Sequence, residues 1–145
     1  MDIEIEPGEC DDLRSPEWDW DDHPDVVIGR IDKEPVAALR LFPRILQSAS
    51  VKMSMMGIGG VYTKTGFRSR GLATEMLRWT IKNSEGHFAC LGLFSSRGVE
   101  DNVYRKVGFT PVKKFFYGQL YCKSLLQDVN LLESHVWRID PSGHF

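Results

Sequence analysis

The chain has 145 residues, of which 42% are hydrophobic, and this is the usual size of one compact domain, so a single domain over residues 1–145 is predicted. The formal net charge of -2 at pH 7 gives no bulk attraction to nucleic acid or to an anionic membrane, and neither is expected as a partner. No apolar run is long enough to span a bilayer, and residues 1–6 are acidic where a signal peptide would be basic. We therefore expect a soluble, cytoplasmic protein.

The three cysteines, Cys10, Cys90 and Cys122, are odd in number, widely spaced and without a CxxC pair. Neither a disulfide framework nor a metal site is expected from this pattern. Cys90 and Cys122 lie in apolar runs, which favours small core residues over nucleophiles.

An acidic segment opens the chain, since residues 1–25 contain eleven carboxylates, four of which flank Trp18 and Trp20, namely Glu17, Asp19, Asp21 and Asp22. From Val26 the pattern changes to short apolar runs broken by turn residues. Residues 26–31 and 35–42, joined by a turn at 32–34, predict two antiparallel strands.

A glycine-interrupted strand is predicted over residues 50–62, and glycines in such a pattern indicate a bulge or the close approach of a ligand. Residues 73–82 show the 3.6-residue period of an amphipathic helix that stops near Gly86. The continuous apolar run 88–94 then predicts a buried central strand, which completes a strand–helix–strand crossover.

The remaining elements are predicted less sharply. Residues 98–107 indicate a short helix, and a last β-pattern runs through 115–121. One more helix is predicted from Ser124, within a tail over 125–145 whose structure the pattern does not define.

The segment Gly59 to Ala73 carries the chemistry, because a glycine-rich strand runs into a loop with two arginines and then directly into a helix. The first turn of a helix has unpaired N–H groups and a partial positive charge, which suit an anion. Gly71 permits a close backbone approach, and Arg68 and Arg70 add charge-assisted donors. This pattern predicts a pyrophosphate site, although the same residues also fit a turn glycine in a solvated cationic loop.

A second motif favours the ligand interpretation. Tyr104-Arg105-Lys106-Val107-Gly108-Phe109 follows the buried strand, in register with the loop Arg68-Ser69-Arg70-Gly71-Leu72-Ala73. Together, over residues 26–122, the two motifs resemble the GNAT family of N-acetyltransferases, with its Arg/Gln-x-x-Gly-x-Gly/Ala loop and its Tyr-x-Lys-x-Gly-Phe segment. The resemblance implies an α/β fold of mixed α+β type, in which a mostly antiparallel sheet, flanked by helices, splays between its fourth and fifth strands around acetyl-CoA.

The resemblance also implies which residues bind this cofactor. The pantetheine would lie along the glycine-interrupted strand, and the pyrophosphate would bind the loop over residues 68–73. Further contacts would come from the second half of the chain. The implied set is Ile58, Gly59, Gly60, Val61, Tyr62, Arg68, Ser69, Arg70, Gly71, Leu72, Ala73, Ser95, Asn102 and Tyr104. The family often has an asparagine seven residues before the tyrosine, and Arg97 stands there in this chain.

Tyr104 matches the family tyrosine that protonates the departing thiolate, a role that suits a phenol, and its alternative is a packed aromatic side chain. A general base is not evident, because residues 51–62 contain no carboxylate where family members often place a glutamate. Glu17 and Asp19 of the acidic segment are the predicted source. The C-terminal carboxylate of Phe145, His87 and His135 are alternatives.

The resemblance implies a primary amine as the acceptor. Carboxylates beside tryptophans attract cations, which points to a small cationic molecule or a protein lysine. The acidic segment also fits a solvated arm, or one that docks a basic protein. A GNAT-fold protein that binds CoA and regulates a partner without catalysis is the competing function. The sequence leaves open whether the chain forms a homodimer, and a dinucleotide or P-loop domain is disfavoured because neither motif is present.

Overall fold

The computed structural model describes residues 2–8, 25–47, 52–95, 102–115, 118–126 and 138–140. Ten elements lie in these ranges. They are β1 (Glu4–Gly8), β2 (Asp25–Ile31), β3 (Glu34–Gln47), β4 (Lys52–Thr63), α1 (Leu72–Ser84), β5 (Cys90–Ser95), α2 (Asn102–Lys106), β6 (Thr110–Phe115), β7 (Gly118–Ser124) and β8 (Arg138–Asp140).

The strands form one mixed sheet in the order β1-β2-β3-β4-β5-β7-β6, with β8 paired to the end of β3. Every pair of neighbours is antiparallel except β4 and β5, which are parallel and are connected through α1. A parallel pair needs such a crossover, and the helix packs on one face of the sheet. The predicted fold class is confirmed.

The hairpin of β2 and β3 turns at Asp32 and Lys33, whose φ angles are 50° and 69°. Two consecutive residues of positive φ are characteristic of a type I′ turn, which matches the twist of the flanking strands. The strand β3 is longer than the predicted 35–42. Its second half continues to Gln47 because β4 pairs with it on one side and β8 on the other.

Strand β1 is an element that sequence did not predict within the acidic segment 1–25, and Glu4–Gly8 pairs with β2 at the edge of the sheet. Ile3 and Ile5 pack against the core, while Glu4 and Glu6 are exposed. The exposed Glu6 accepts a hydrogen bond of 3.2 Å from Arg30 Nε. The alternation is that of a half-buried strand, but it is too short to stand out from the acidic residues around it.

The main core lies between α1 and the sheet. Met76 and Leu77 of the helix are fully buried there against strand residues such as Leu39 and Leu91. At Gly29 of β2, a Cβ atom would lie 2.8 Å from both the Ile3 Cδ1 atom and the Met76 Sδ atom, so a larger residue would displace these side chains, and the close packing of β1, β2 and α1 favours glycine at this position.

The second half of the chain differs from the prediction in its boundaries. The predicted β-pattern over 115–121 is the hairpin of β6 and β7, and α2 occupies only Asn102–Lys106 of the predicted 98–107. Ser124, the predicted start of a last helix, is the final residue of β7, because it pairs with Cys90 of β5. Most of that predicted helix lies outside the described residues. Neither helix in the described ranges is long and apolar enough to cross a membrane.

Candidate active site

A cleft opens in the sheet where β4 and β5 part. Their parallel ladder runs from Met55 and Cys90 to Ile58 and Leu93. Beyond that point β4 stays with β3 and β5 stays with β7. In an open sheet, the carboxyl ends of parallel strands are where ligands bind.

A β-bulge in β4 sits at this opening. Gly59 pairs with Arg40 and Tyr62 pairs with Ala38, so β4 has one residue more than β3 between these two pairs. Gly60 lies in the bulge with φ 57°. Such a bulge bends a strand and increases its local twist, which turns the end of β4 away from β5.

The loop between β4 and α1 is fixed to the sheet by several contacts. Lys64 donates its backbone N–H to the Val36 carbonyl at 2.7 Å, and its Nζ lies 2.7 Å from Glu34 Oε1. Arg68 donates from Nε to the Thr63 carbonyl at 2.8 Å and lies over the Tyr62 ring. Arg68 therefore fixes the loop through the Nε edge and one face of its guanidinium, contacts that sequence alone did not predict.

The N-terminus of α1 is suited to bind an anion. The first helical hydrogen bond runs from the Glu75 N–H to the Gly71 carbonyl at 3.1 Å, so the N–H groups of Leu72, Ala73 and Thr74 have no acceptor within α1. Within the described part of the chain no side chain caps the helix, and Gly71 is exposed with open space around it. These groups can donate to a phosphate while the helix dipole attracts it.

The backbone of this loop takes unusual conformations. Ser69 has φ 64° and Gly71 has φ 77°. For Ser69 the left-handed conformation is uncommon, and residues held in such regions cluster at ligand sites. Gly71 is required for its left-handed φ at the helix N-cap, which is a more specific reason than the close backbone approach inferred from sequence.

Tyr104 lies on α2, close to the open end of the cleft. Its ring centroid is 5.8 Å from that of Tyr121, which pairs with Leu93 at the last rung of the β4–β5 ladder. The side chain is half-buried, and burial raises the pKa of the phenol above its ordinary value of 10. The hydroxyl is therefore protonated at neutral pH and can act as a proton donor.

A Schellman motif ends α2 and orients Tyr104. The Phe109 N–H donates to the Tyr104 carbonyl at 3.0 Å, the Gly108 N–H donates to the Arg105 carbonyl at 3.0 Å, and Gly108 has φ 99°. Phe109 is only 1% exposed in the core. Gly108 and Phe109 thus have structural roles, as the helix stop and as a core residue.

The other predicted cofactor residues fall into two groups, those with buried side chains and those whose side chains a ligand can reach. Ile58 and Leu72 have side chains in the core, so they can offer a ligand only their backbone. Val61, Tyr62 and Ala73 are half-buried, and Arg70 is exposed above the Phe67 ring. Ser95 is buried at the end of β5, where it pairs with Gln119 of β7.

Several predicted residues are not placed by the structure. The side chain of Asn102 lies outside the described residues, as do Glu17, Asp19, Arg97, His135 and Phe145. His87 lies in the turn between α1 and β5, before the first residue of β5, and is therefore at the opposite end of the sheet from the cleft. This position separates His87 from Tyr104 and weakens it as the base.

Cys90 and Cys122 are buried on neighbouring strands. Burial raises the pKa of the Cys90 thiol to about 12 and also raises that of Cys122. Thiols of such high pKa are poor nucleophiles, in agreement with their interpretation as core residues.

Sequence reasoning missed two basic residues near the loop. Arg78 of α1 and Lys106 of α2 line a cavity of about 670 Å³ together with Arg70 and Gly71. Helical spacing places Thr74 and Arg78 on one face of α1, which was a usable signal. The position of Lys106 beside them depends on the tertiary fold.

A family model described as the acetyltransferase (GNAT) domain matches residues 9–112, more than half of the chain. The chain belongs to the GNAT acetyltransferase family. The predicted family is therefore confirmed, and so is acetyl-CoA as the cofactor that its members use. No curated protein matches the GNAT chain in sequence.

Solved structures share its fold at low sequence identity. A GCN5-related N-acetyltransferase from Kribbella flavida is 22% identical, with a TM-score of 0.55 over 60% of this chain and 22% of its own. A GNAT family acetyltransferase from Elizabethkingia anophelis with acetyl-CoA bound is 13% identical, with a TM-score of 0.60 over 84% and 97%. The NatC complex bound to Gag peptide and CoA contains a chain that is 17% identical, with a TM-score of 0.64 over 87% and 100%. The chain thus spans less than a quarter of the Kribbella flavida chain. It spans nearly all of the Elizabethkingia anophelis chain and all of the matched chain in the NatC complex.

Proposed function

We propose that this chain transfers an acetyl group from acetyl-CoA to a primary amine. The observation that carries the proposal is the opening of β4 and β5 beyond Ile58 and Leu93, directly beside the uncapped N-terminus of α1. A thioester held in the cleft would have its phosphates at the helix and its acyl group between the strands. Acetyl-CoA supplies an acetyl thioester whose carbonyl carbon an amine can attack.

The residues present fit this cofactor. The N–H groups of Leu72, Ala73 and Thr74 would bind the pyrophosphate, with Arg70 adding positive charge. The backbone of residues 58–62 would hold the pantetheine beyond the last rung of the β4–β5 ladder. Ser95 and Asn102 are proposed to contact the same arm from the β5 side.

Tyr104 is proposed as the general acid. Its protonated hydroxyl can donate to a thiolate that leaves as the amide forms, and the raised pKa of the phenol keeps the proton available through neutral pH. The ring contact with Tyr121 restricts the direction of the side chain.

The base and the acceptor are proposed from the sequence. Strand β4 contains no carboxylate, so Glu17 and Asp19 are proposed to accept the proton of the ammonium group, directly or through water. Acidic and aromatic residues together favour a cationic amine. A protein acceptor is supported by the NatC structure, which was solved with a peptide and CoA.

The proposal is tested by following the release of the CoA thiol from acetyl-CoA with a panel of small amines and lysine peptides. Mass spectrometry should show a gain of one acetyl group on the preferred amine. Acetyl-CoA without an amine controls for hydrolysis. The proposal fails if the protein binds CoA and no amine in a broad panel raises thiol release above that control.

The absence of a carboxylate from β4 also favours a second function, in which the chain binds CoA and regulates a partner protein. This function predicts tight CoA binding without turnover. The same assay, combined with calorimetric titration of CoA, therefore separates the two functions.

A further inference from the structure

We propose that Arg78 and Lys106 recognise the 3′-phosphate of CoA and make the protein selective for CoA over 3′-dephospho-CoA. The inference rests on the proposed function, because it assumes that the pyrophosphate binds at the N-terminus of α1. CoA has a second, separate phosphate on its adenosine ribose. A site for this dianion requires cationic side chains near the pyrophosphate loop but not within it.

The cavity at the N-terminus of α1 has this arrangement. Its volume is about 670 Å³, within the usual range for small-molecule sites. Three separate elements supply its cations: the loop supplies Arg70, the second turn of α1 supplies Arg78, and the end of α2 supplies Lys106. The half-buried side chain of Ile3 adds apolar surface on which a nucleoside can rest.

The position of Arg78 gives it a role distinct from the loop. Seven residues separate it from Gly71 (78 - 71), which is about 10 Å along a helix axis, and helical side chains lean towards the N-terminus. The guanidinium can therefore extend from the middle of α1 back towards the loop. Lys106 lines the same cavity from α2, so an anion bound there can contact cations from two helices.

Two carboxylates also line the cavity, Asp2 and Glu75. Glu75 Oε1 lies 3.5 Å from Arg78 Nη1, and both side chains are about half exposed. A guanidinium has five N–H donors, so this single contact with Glu75 is compatible with a phosphate on another edge. Three cations, two carboxylates and the partial positive charge of the helix terminus leave a net positive site, which attracts a dianion. The uncharged hydroxyl of 3′-dephospho-CoA gains no such attraction.

The test measures dissociation constants of CoA and 3′-dephospho-CoA by isothermal titration calorimetry, for the wild type and for Arg78→Gln, Lys106→Gln and the double variant. The wild type should bind CoA about tenfold more tightly than 3′-dephospho-CoA, the scale of charge-assisted contacts in a partly exposed site. The double variant should weaken CoA binding about tenfold and leave 3′-dephospho-CoA within twofold. Lys82→Gln, which removes an exposed cation from the last turn of α1, is the matched control and should change neither ligand.

The outcomes separate this inference from the proposed function. Equal affinity of the wild type for the two ligands, or an equal loss of both in the double variant, overturns the inference, but the proposed function stands because the wild type still binds CoA. If the wild type binds neither ligand, the proposed function fails and the inference fails with it. Because added salt screens exposed charges, selectivity should fall with ionic strength in the wild type and stay near one in the double variant.

Discussion

Two cavities of equal volume, about 670 Å³ each, lie at the two ends of α1, and they differ in chemistry. The cavity at the N-terminus contains Arg70, Arg78 and Lys106 among its lining residues. The cavity at the C-terminus is lined largely by apolar side chains, among them Met56 and Trp79. Size therefore does not distinguish the two sites, and the charge and backbone at each helix end decide which one can hold a phosphate.

The backbone of α1 also favours an anion at its N-terminus and disfavours one at its C-terminus. At the N-terminus three N–H groups have no acceptor within the helix. At the C-terminus two of the last four carbonyls accept hydrogen bonds, because Ile81 accepts from the Glu85 N–H, and Ser84 accepts from the N–H groups of His87 and Phe88. Carbonyl groups and the negative end of the helix dipole repel an anion. The comparison predicts that perturbing the two ends in the same way has opposite consequences for CoA binding.

The largest effect is expected at the N-terminal glycine. Gly71 and Gly86 have similar positive φ angles, 77° and 81°, and open space around the position of a Cβ. Gly71→Glu puts a carboxylate against the pyrophosphate and should weaken CoA binding at least about 100-fold, while Gly86→Glu carries the same backbone strain and should change it less than about twofold. The thermal shift given by CoA measures this, since a ligand stabilises the state it binds.

Circular dichroism controls for folding in both glycine variants. Equal stabilisation of folded Gly71→Glu and wild type by CoA would show that the loop is not the phosphate site. Equal loss in both variants would show that the effect is strain and not charge.

The next effect concerns the proton donor on α2. Tyr104→Phe keeps the aromatic packing against Tyr121 and removes the hydroxyl. We expect turnover to fall about 100-fold, the usual scale for a lost general acid, with CoA affinity changed only a few-fold. Tyr121→Phe is the matched control, because it removes a hydroxyl from the other ring of the same pair. Unchanged turnover in Tyr104→Phe would make Tyr104 a packing residue.

The pH profile tests the same role without a mutation. Burial raises the pKa of Tyr104, so the donating form persists to a higher pH than in a free phenol. Activity that depends on this proton should be retained through neutral pH and lost only as pH rises through the raised pKa, above 10. A decline of turnover assigned to Tyr104 below pH 9, absent in Tyr104→Phe, would contradict the burial seen in the structure.

Sequence alone predicted the region around the N-terminus of α1 well, because its signals are local. The glycine-interrupted β4, the arginine loop and the helical period are continuous in the chain, and the structure places the start of α1 at Leu72, one residue from the predicted Ala73. The parallel pairing of β4 and β5 also follows from the strand–helix–strand crossover that the sequence predicts. The features predicted in this region are backbone conformations, namely a strand, a turn and a helix. Glycine positions and the helical period of apolar residues specify such conformations directly.

Features that depend on distant parts of the chain were not predicted. The pairing of β1 with β2 and of β8 with β3 joins segments whose own patterns are short, and tertiary contacts decide them. The cavity residues Arg78 and Lys106 come from two helices and meet only in the fold. The base could not be located either, since β4 has no carboxylate and Glu17 and Asp19 are assigned by composition alone.

A smaller effect is expected from the acidic segment, and it tests whether the acceptor depends on residues beyond the cofactor end of α1. Replacing Asp19, Asp21 and Asp22 with asparagine should raise the KM of a cationic acceptor about three- to tenfold and weaken its dependence on ionic strength, with CoA binding unchanged. The control variant Glu4→Gln/Asp32→Asn/Glu85→Gln removes three other exposed carboxylates. If the two triple variants shift the acceptor KM equally, the effect is net charge and the segment is not an acceptor site.

The smallest effect on CoA is expected at the apolar cavity beside the C-terminus of α1. Trp79 is half-buried there, next to Met56 and Leu41. Trp79→Ala removes apolar packing, so it should destabilise the fold by about 1–3 kcal/mol, less than a fully buried aromatic residue would. If the comparison of the two helix ends is right, CoA should still bind within about twofold of wild type, because no anion-binding group of the N-terminal cavity has moved. Thermal unfolding measures the loss of stability, and calorimetric titration measures the CoA affinity.

A loss of CoA affinity above about fivefold in the folded variant would mean that the apolar cavity takes part in cofactor binding and that the two ends of α1 do not act separately. Trp79→Phe, which keeps most of the packing, should then restore the affinity, whereas a merely destabilised protein would regain only its melting temperature.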